Sequence, residues 1–150
     1  MKYRGSCHCG TIAFEVEGEI KSGMACNCSL CERKGSLLWF VPRNSLTLST
    51  PEENSRVYTF NKHLLKHRFC PTCGIHPYAE GRDPKGNEMA AINIRCLEGI
   101  DLSAIPVTAS TAGRSDRSPS TNPGPQRTSP ARAQKLTFLR IRSCGGARHP

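Results

Sequence analysis

Three short stretches hold most of the sulfur in this chain. CNCSLC, Cys26 to Cys31, places three thiols within six residues, SCHC near the start supplies Cys7 and Cys9, and FCPTCG supplies Cys70 and Cys73. Seven of the nine cysteines fall in these clusters, while Cys96 and Cys144 stand alone. Cysteines one residue apart rarely bond to each other, because the bridge geometry is strained. The opening MKYRGSCHCG has no apolar run of the kind that directs secretion. The longest apolar run, LLWFV at 37–41, is far too short to cross a bilayer. Paired thiols in a reduced, cytoplasmic chain read as metal ligands.

Each cluster has its own local logic. In an extended segment the side chains at i and i+2 share a face, so Cys7 and Cys9 present two sulfurs to one point. In CPTCG, Pro71 fixes one backbone angle and Gly74 permits the positive φ that turns backbone N–H groups toward the sulfurs. A Cys-x-Cys pair and such a knuckle make a closed four-thiolate zinc site, expected to be structural. A redox dithiol would need CPTC between a strand and a helix, but GIHPYAE carries Pro77 and reads as extended.

The triple cluster is different. Cys26 and Cys28 share a face, and a turn through Ser29 and Leu30 brings Cys31 to the same ion. Three protein ligands with one exchangeable position describe a catalytic zinc; four describe a second structural one. The chain offers Cys96, His8, His63, His67 and His76 as further ligands, and the pattern of residues leaves open and closed sites equally admissible. Sulfur-only ligation favours zinc over an iron–sulfur cluster.

The elements that must position these thiols are short. TIAFEVEGE alternates Ile12, Phe14 and Val16 with Ala13, Glu15 and Glu17, the period of a half-buried strand ending at Gly18. SLLWFVP reads as a buried strand closed by Pro42, and further strands are expected at 45–49, 56–60, 66–70 and 88–95. One short helix is expected around Leu30 to Lys34. The sequence predicts a small mainly-β, zinc-stabilised domain over residues 1–108. Residues 109–150, rich in Ser, Thr, Pro and Arg, read as a disordered tail, with KLTFLRIRS (135–143) as a weak strand candidate. Residues 1–108 carry 13 Lys/Arg against 11 Asp/Glu, whereas 109–150 carry 8 against 1. The basicity belongs to the tail, so nucleic-acid binding is expected only non-specifically and through it.

The order Cys-x-Cys-Gly, Cys-x-Cys-x-x-Cys, Cys-x-x-Cys-Gly resembles the glutathione-dependent formaldehyde-activating enzyme family, which includes the centromere protein V group. GSCHCG (5–10), CNCSLC (26–31), LLWFVP (37–42), HRFCPTCGIHPYAEG (67–81) and INIRCLEG (92–99) carry the resemblance across residues 1–107. It implies a β-tent fold of short antiparallel strands and two Zn²⁺ per chain. Cys7, Cys9, Cys70 and Cys73 would hold the structural ion, and Cys26, Cys28 and Cys31 the catalytic one, with its fourth position open. The implied activity is that of a carbon–sulfur lyase, an S-(hydroxymethyl)glutathione synthase, joining a small thiol such as glutathione to formaldehyde. After Val107 the chain departs from the family, reading TASTAGRSDRSPS. The competing reading is a non-catalytic, zinc-stabilised module that binds a protein or nucleic acid.

Other residues carry milder expectations. Trp39 and Phe40 read as core rather than site wall. Arg33 and Lys34 read as a solvated basic turn that can steer an anionic thiol. His76 reads as an ordinary strand histidine, His8 as pointing away from its cysteine neighbours, Cys96 as a buried free thiol and Cys144 as exposed and without a role.

Overall fold

The computed structural model describes residues 1–110. The tail, its strand candidate and Cys144 lie outside the described residues. Within residues 1–110 the chain forms ten short strands in two sheets, with one turn of α-helix. This is the small mainly-β architecture that the alternating patterns predict.

The smaller sheet orders β1 (Lys2–Ser6), β2 (Ala13–Glu17) and β5 (Leu46–Leu48) as β1-β2-β5, all antiparallel. On β2, Phe14 and Val16 are buried while Glu15 and Glu17 face out, as period two requires. Gly5 lies opposite Phe14 in the register, and the Phe14 ring lies over it. A methyl at Gly5 would sit 2.4 Å from the ring's Cζ, so only glycine lets the ring reach that depth. On the outer face Lys2 pairs with Glu15 at 2.7 Å.

The larger sheet contains β3 (Gly23–Ala25), β4 (Leu37–Pro42), β6 (Arg56–Tyr58), β7 (Lys66–Phe69), β8 (Tyr78–Arg82), β9 (Glu88–Asn93) and β10 (Val107–Ala109). Their order is β10-β3-β4-β9-β8-β7-β6, parallel at β10–β3 and antiparallel elsewhere. One core joins the sheets: Phe14, Val16, Tyr78, Ile92 and Ile94 are almost wholly buried. Each side chain of that kind contributes roughly 1.5–3 kcal/mol over its exposed state. Phe14 meets Tyr78 edge-on, with centroids 5.8 Å apart.

The expected strands form with trimmed ends. The segment 45–49 begins with a 3₁₀ turn at Arg43–Ser45, so the strand is Leu46–Leu48. The 88–95 strand stops at Asn93, whose side chain accepts from the Arg95 N–H and starts a 3₁₀ turn over Ile94–Cys96. Trp39 is core, packed edge-on against Tyr3 with centroids 5.7 Å apart. Phe40 is not, for alternation along β4 turns it outward and leaves it 46% exposed. That corrects the expectation that both residues pack inside.

Candidate metal centre and its cleft

β1 and β7 end beside each other, and each ends in a cysteine cluster. After β7, Cys70–Ile75 makes a tight knuckle: the Cys70 N–H donates to the Ile75 carbonyl and the Gly74 N–H to the Cys70 carbonyl. Gly74 has φ +74°, the left-handed value expected for that glycine. The loop after β1 forms a matching turn, with the Cys7 N–H on the Ile12 carbonyl and the Gly10 N–H on the Cys7 carbonyl. Together they gather the sulfurs of Cys7, Cys9, Cys70 and Cys73 within 4.8 Å of one another.

The spacing of these sulfurs tests what they suit. Cys7 Sγ lies 3.6 Å from Cys9 Sγ, which lies 3.5 Å from Cys70 Sγ. Sulfurs at the corners of a tetrahedral zinc site stand about 3.8 Å apart, given Zn–S bonds of about 2.3 Å. A disulfide would need about 2.05 Å. The donor set therefore fits one soft tetrahedral ion. Burial pushes the Cys7 thiol up to about 11, whereas the Thr11 hydroxyl and N–H bring Cys9 down to about 6. The Ile75 N–H lowers Cys73. Amides thus aim at the sulfurs, as the knuckle pattern suggests.

The second cluster lies within one segment. β3 ends at Ala25, and Cys26 and Cys28 follow in a loop that enters the single helical turn α1 (Cys31–Lys34). The Cys31 N–H donates to Cys28 Sγ at 3.4 Å, and Gly35 closes the turn in the left-handed region at φ +61°. The three sulfurs lie within 4.8 Å of one another. Among the described residues, no His, Asp, Glu or further Cys donor atom joins that group. The spread of acidities is wide. Burial raises Cys26, and it drives Cys31 far up with help from the two neighbouring sulfurs. Burial also opposes the Cys28 thiolate, but the Cys31 amide and the neighbouring thiols outweigh it, so Cys28 is lowered.

This cluster opens on a cleft of about 740 Å³. Its walls include Leu38 and Phe40 of β4, Ala79 of β8, Met89 and Ala91 of β9, and Leu64 and Leu65 from the β6–β7 loop, with Lys62 and Arg82 near the surface. His67 and His76 line it as well. A ring column leads to them: Tyr58 stacks on Phe60 at 5.9 Å, Phe60 on His67 at 5.4 Å, and His67 lies 5.4 Å from His76, all between centroids. Lys34 is close enough to influence both sides. Its ammonium is lowered by burial and held up by Cys31 and Cys28, and its charge in turn lowers both histidines.

Of the candidate further ligands, His67 and His76 line this cleft, and the other three fall elsewhere. His63 sits in the β6–β7 loop, its Nδ1 2.8 Å from the Thr59 hydroxyl, and His8 is exposed. Cys96 is half-buried, its thiol pushed up to about 11 by burial, and it lines a separate concavity with Lys34, Asn93 and Arg95. Arg33 is a surface residue, donating to the Ser29 carbonyl. His76 departs from expectation: it lies just before β8 and is 7% exposed, with neither ring nitrogen partnered. Sequence position hid this, though HRFCPTCGIH sets one histidine three residues before the knuckle cysteines and one three after.

Among the described residues, no helix is long and apolar enough to cross a membrane. A crystal structure of a Rhodobacter sphaeroides protein is similar to this chain, 31% identical, with a TM-score of 0.61, covering 70% of this chain and 99% of that one. The profile of the glutathione-dependent formaldehyde-activating enzyme matches residues 2–109. A match across most of the chain, with both cysteine clusters assembled, means that this chain belongs to the glutathione-dependent formaldehyde-activating enzyme family.

Proposed function

We propose that this chain is a zinc-dependent carbon–sulfur lyase that joins a glutathione-like thiol to formaldehyde and catalyses the reverse release. One observation carries the reading: three gathered sulfurs open directly onto an apolar cleft large enough for a small peptide thiol. Cys7, Cys9, Cys70 and Cys73 would hold a structural zinc, and Cys26, Cys28 and Cys31 a catalytic one. When bound at the three-cysteine cluster, zinc lowers the pKa of a substrate thiol and so supplies a nucleophilic sulfur near neutral pH.

The protein's own residues supply position and surroundings. Phe40, Leu64 and Leu65 cover the cleft with apolar surface, which sheds water from the reacting sulfur and carbon. Lys34 adds positive charge beside the sulfurs, and Lys62 and Arg82 suit the carboxylates of a tripeptide thiol. Holding thiol and aldehyde together converts a bimolecular encounter into a local one. In the addition a sulfur–carbon bond forms and the carbonyl π pair moves to oxygen. That oxygen gains one proton, matching the one the thiol has lost.

The test is zinc content and zinc-edge absorption of the full chain, with and without glutathione, followed by turnover with formaldehyde. Two zincs, one gaining a sulfur neighbour on adding glutathione, together with formation of S-hydroxymethylglutathione, are the expected result. Two zincs indifferent to glutathione would leave a zinc-stabilised scaffold and overturn the reading.

A further inference from the structure

Two buried imidazoles on the cleft carry ring nitrogens without a partner. His67 is 5% exposed and His76 7%, and His67 Nε2 and both nitrogens of His76 make no hydrogen bond. Leaving a buried polar atom unpaired costs roughly 1–3 kcal/mol, so native structures rarely tolerate three together. Packing does not require imidazole here, because a phenyl ring would extend the Phe60–His67–His76 column without that cost. Nor are these nitrogens gathered with the metal-ligating sulfurs, since neither ring belongs to the three-cysteine cluster. Both rings line the same cleft as Cys26, Cys28 and Cys31.

We infer that His67 and His76 form the substrate-oxygen site of the cleft, their ring nitrogens hydrogen-bonding the carbonyl oxygen of the aldehyde and then the hydroxyl of its thiol adduct. This rests on the lyase reading above. The chemistry suits these unpaired nitrogens: addition of sulfur pushes the carbonyl π pair onto oxygen, and a fixed N–H donor stabilises that charge as it develops. A hydroxyl product both donates and accepts, which a pair of neutral imidazoles satisfies in full. Burial, then the charge of Lys34, holds His67 at about 4, and the same causes with His67 added hold His76 at about 3. Both rings are therefore neutral near pH 7, and their three free nitrogens together offer N–H and lone pair alike.

The knuckle explains how the site is built. β7 carries His67 into Cys70, the turn reverses at Gly74, and His76 returns beside His67. The two rings meet because the two cysteines do.

The experiment uses the full zinc-loaded chain with ¹⁵N-labelled histidine, read by long-range ¹H–¹⁵N correlation. Glutathione is added first and formaldehyde second, with zinc-edge absorption followed in parallel. The expected result is that ring nitrogens of His67 and His76 shift on adding formaldehyde to the glutathione-treated protein. In His76→Asn and His67→Gln, kcat should fall about 10²-fold while KM for glutathione, zinc content and the edge response are kept. A purely structural role would instead move zinc content or KM along with kcat. An edge that responds to glutathione while the ring nitrogens stay still through adduct formation overturns this inference alone. No edge response and no turnover in the unmodified protein overturn the lyase reading, and this inference with it.

Discussion

Zinc should leave the two clusters separately, and only the second departure should unfold the chain. Cys9 and Cys70 are 61 residues apart, and the cluster they share joins the end of the three-stranded sheet to the seven-stranded one. Cys26 and Cys31 are five residues apart within one loop. A flexible loop costs about (3/2)RT ln n to close, so the longer link restrains the unfolded chain by about 2 kcal/mol more than the shorter. Metal binding outweighs that difference. A structural zinc contributes roughly 10–16 kcal/mol, which matches or exceeds the roughly 5–15 kcal/mol stability of an ordinary domain. Losing an ion from Cys7, Cys9, Cys70 and Cys73 is therefore expected to remove the fold, whereas losing one from Cys26, Cys28 and Cys31 is expected to disorder one loop.

The assay is a competing-chelator titration with zinc release and tryptophan emission recorded together. Trp39 is the only tryptophan and is 7% exposed, so its emission reports the core directly. The first equivalent of zinc should depart with emission unchanged and the second with a red shift. Cys28→Ser should retain one zinc and its fold, while Cys70→Ser should be unfolded. A red shift accompanying the first zinc, or a folded Cys70→Ser protein, would refute the assignment of roles.

Three further outcomes follow from particular contacts. Glu80 accepts from Arg43 Nε at 2.6 Å and from Arg68 Nε at 2.8 Å, with Arg68 also paired to Glu52. Glu80→Ala leaves the buried Arg68 guanidinium short of a partner and should cost about 3–5 kcal/mol in urea denaturation of the zinc-loaded protein; a loss under about 1 kcal/mol would show the pair to be solvent-screened. His67 and His76 have folded pKa values lowered from 6.5 by burial and Lys34, so between pH 6.5 and 4 the unfolded chain binds more protons than the folded one. Stability should fall as pH drops through that window, by roughly 1.4 kcal/mol per histidine per pH unit, and denaturation midpoints of His76→Asn and His67→Gln at pH 7.5 and 5.5 should show a shallower slope than wild type. Phe40 is 46% exposed on the cleft. Phe40→Glu should therefore raise KM for glutathione about tenfold while leaving stability within about 0.5 kcal/mol; an unchanged KM would remove Phe40 from the binding surface.

What the sequence reveals tracks where one physical signal dominates. Cys-x-Cys and Cys-x-x-Cys-Gly constrain backbone and sulfur together, so both clusters are legible from spacing alone. β2 is legible because Phe14 and Val16 alternate with Glu15 and Glu17. β1, β3 and β10 are not: KYRGS turns only Gly5 fully inward, and GMA and VTA are too short to show a period. Phe40 misleads because a continuous apolar run conceals which face each residue takes, and β4 has one face on the core and the other on the cleft. The value of His76 is invisible in sequence because an unpaired nitrogen is a property of neighbours, not of the residue.

The knuckle at 70–75 unites these observations. Its hydrogen bonds fix Cys70 and Cys73 for the four-cysteine cluster, and its reversal sets His67 and His76 beside each other on the cleft. A rearrangement that spread the two cysteines would also part the imidazoles, so an ion held by the four cysteines would, on the proposed reading, act on the chemistry without touching it. The converse is not expected, because Cys26, Cys28 and Cys31 lie in one segment after β3, outside β7 and β8. On the proposed reading the two metal sites would thus be unequal: the four-cysteine site would preserve the cleft, and the three-cysteine site would use it.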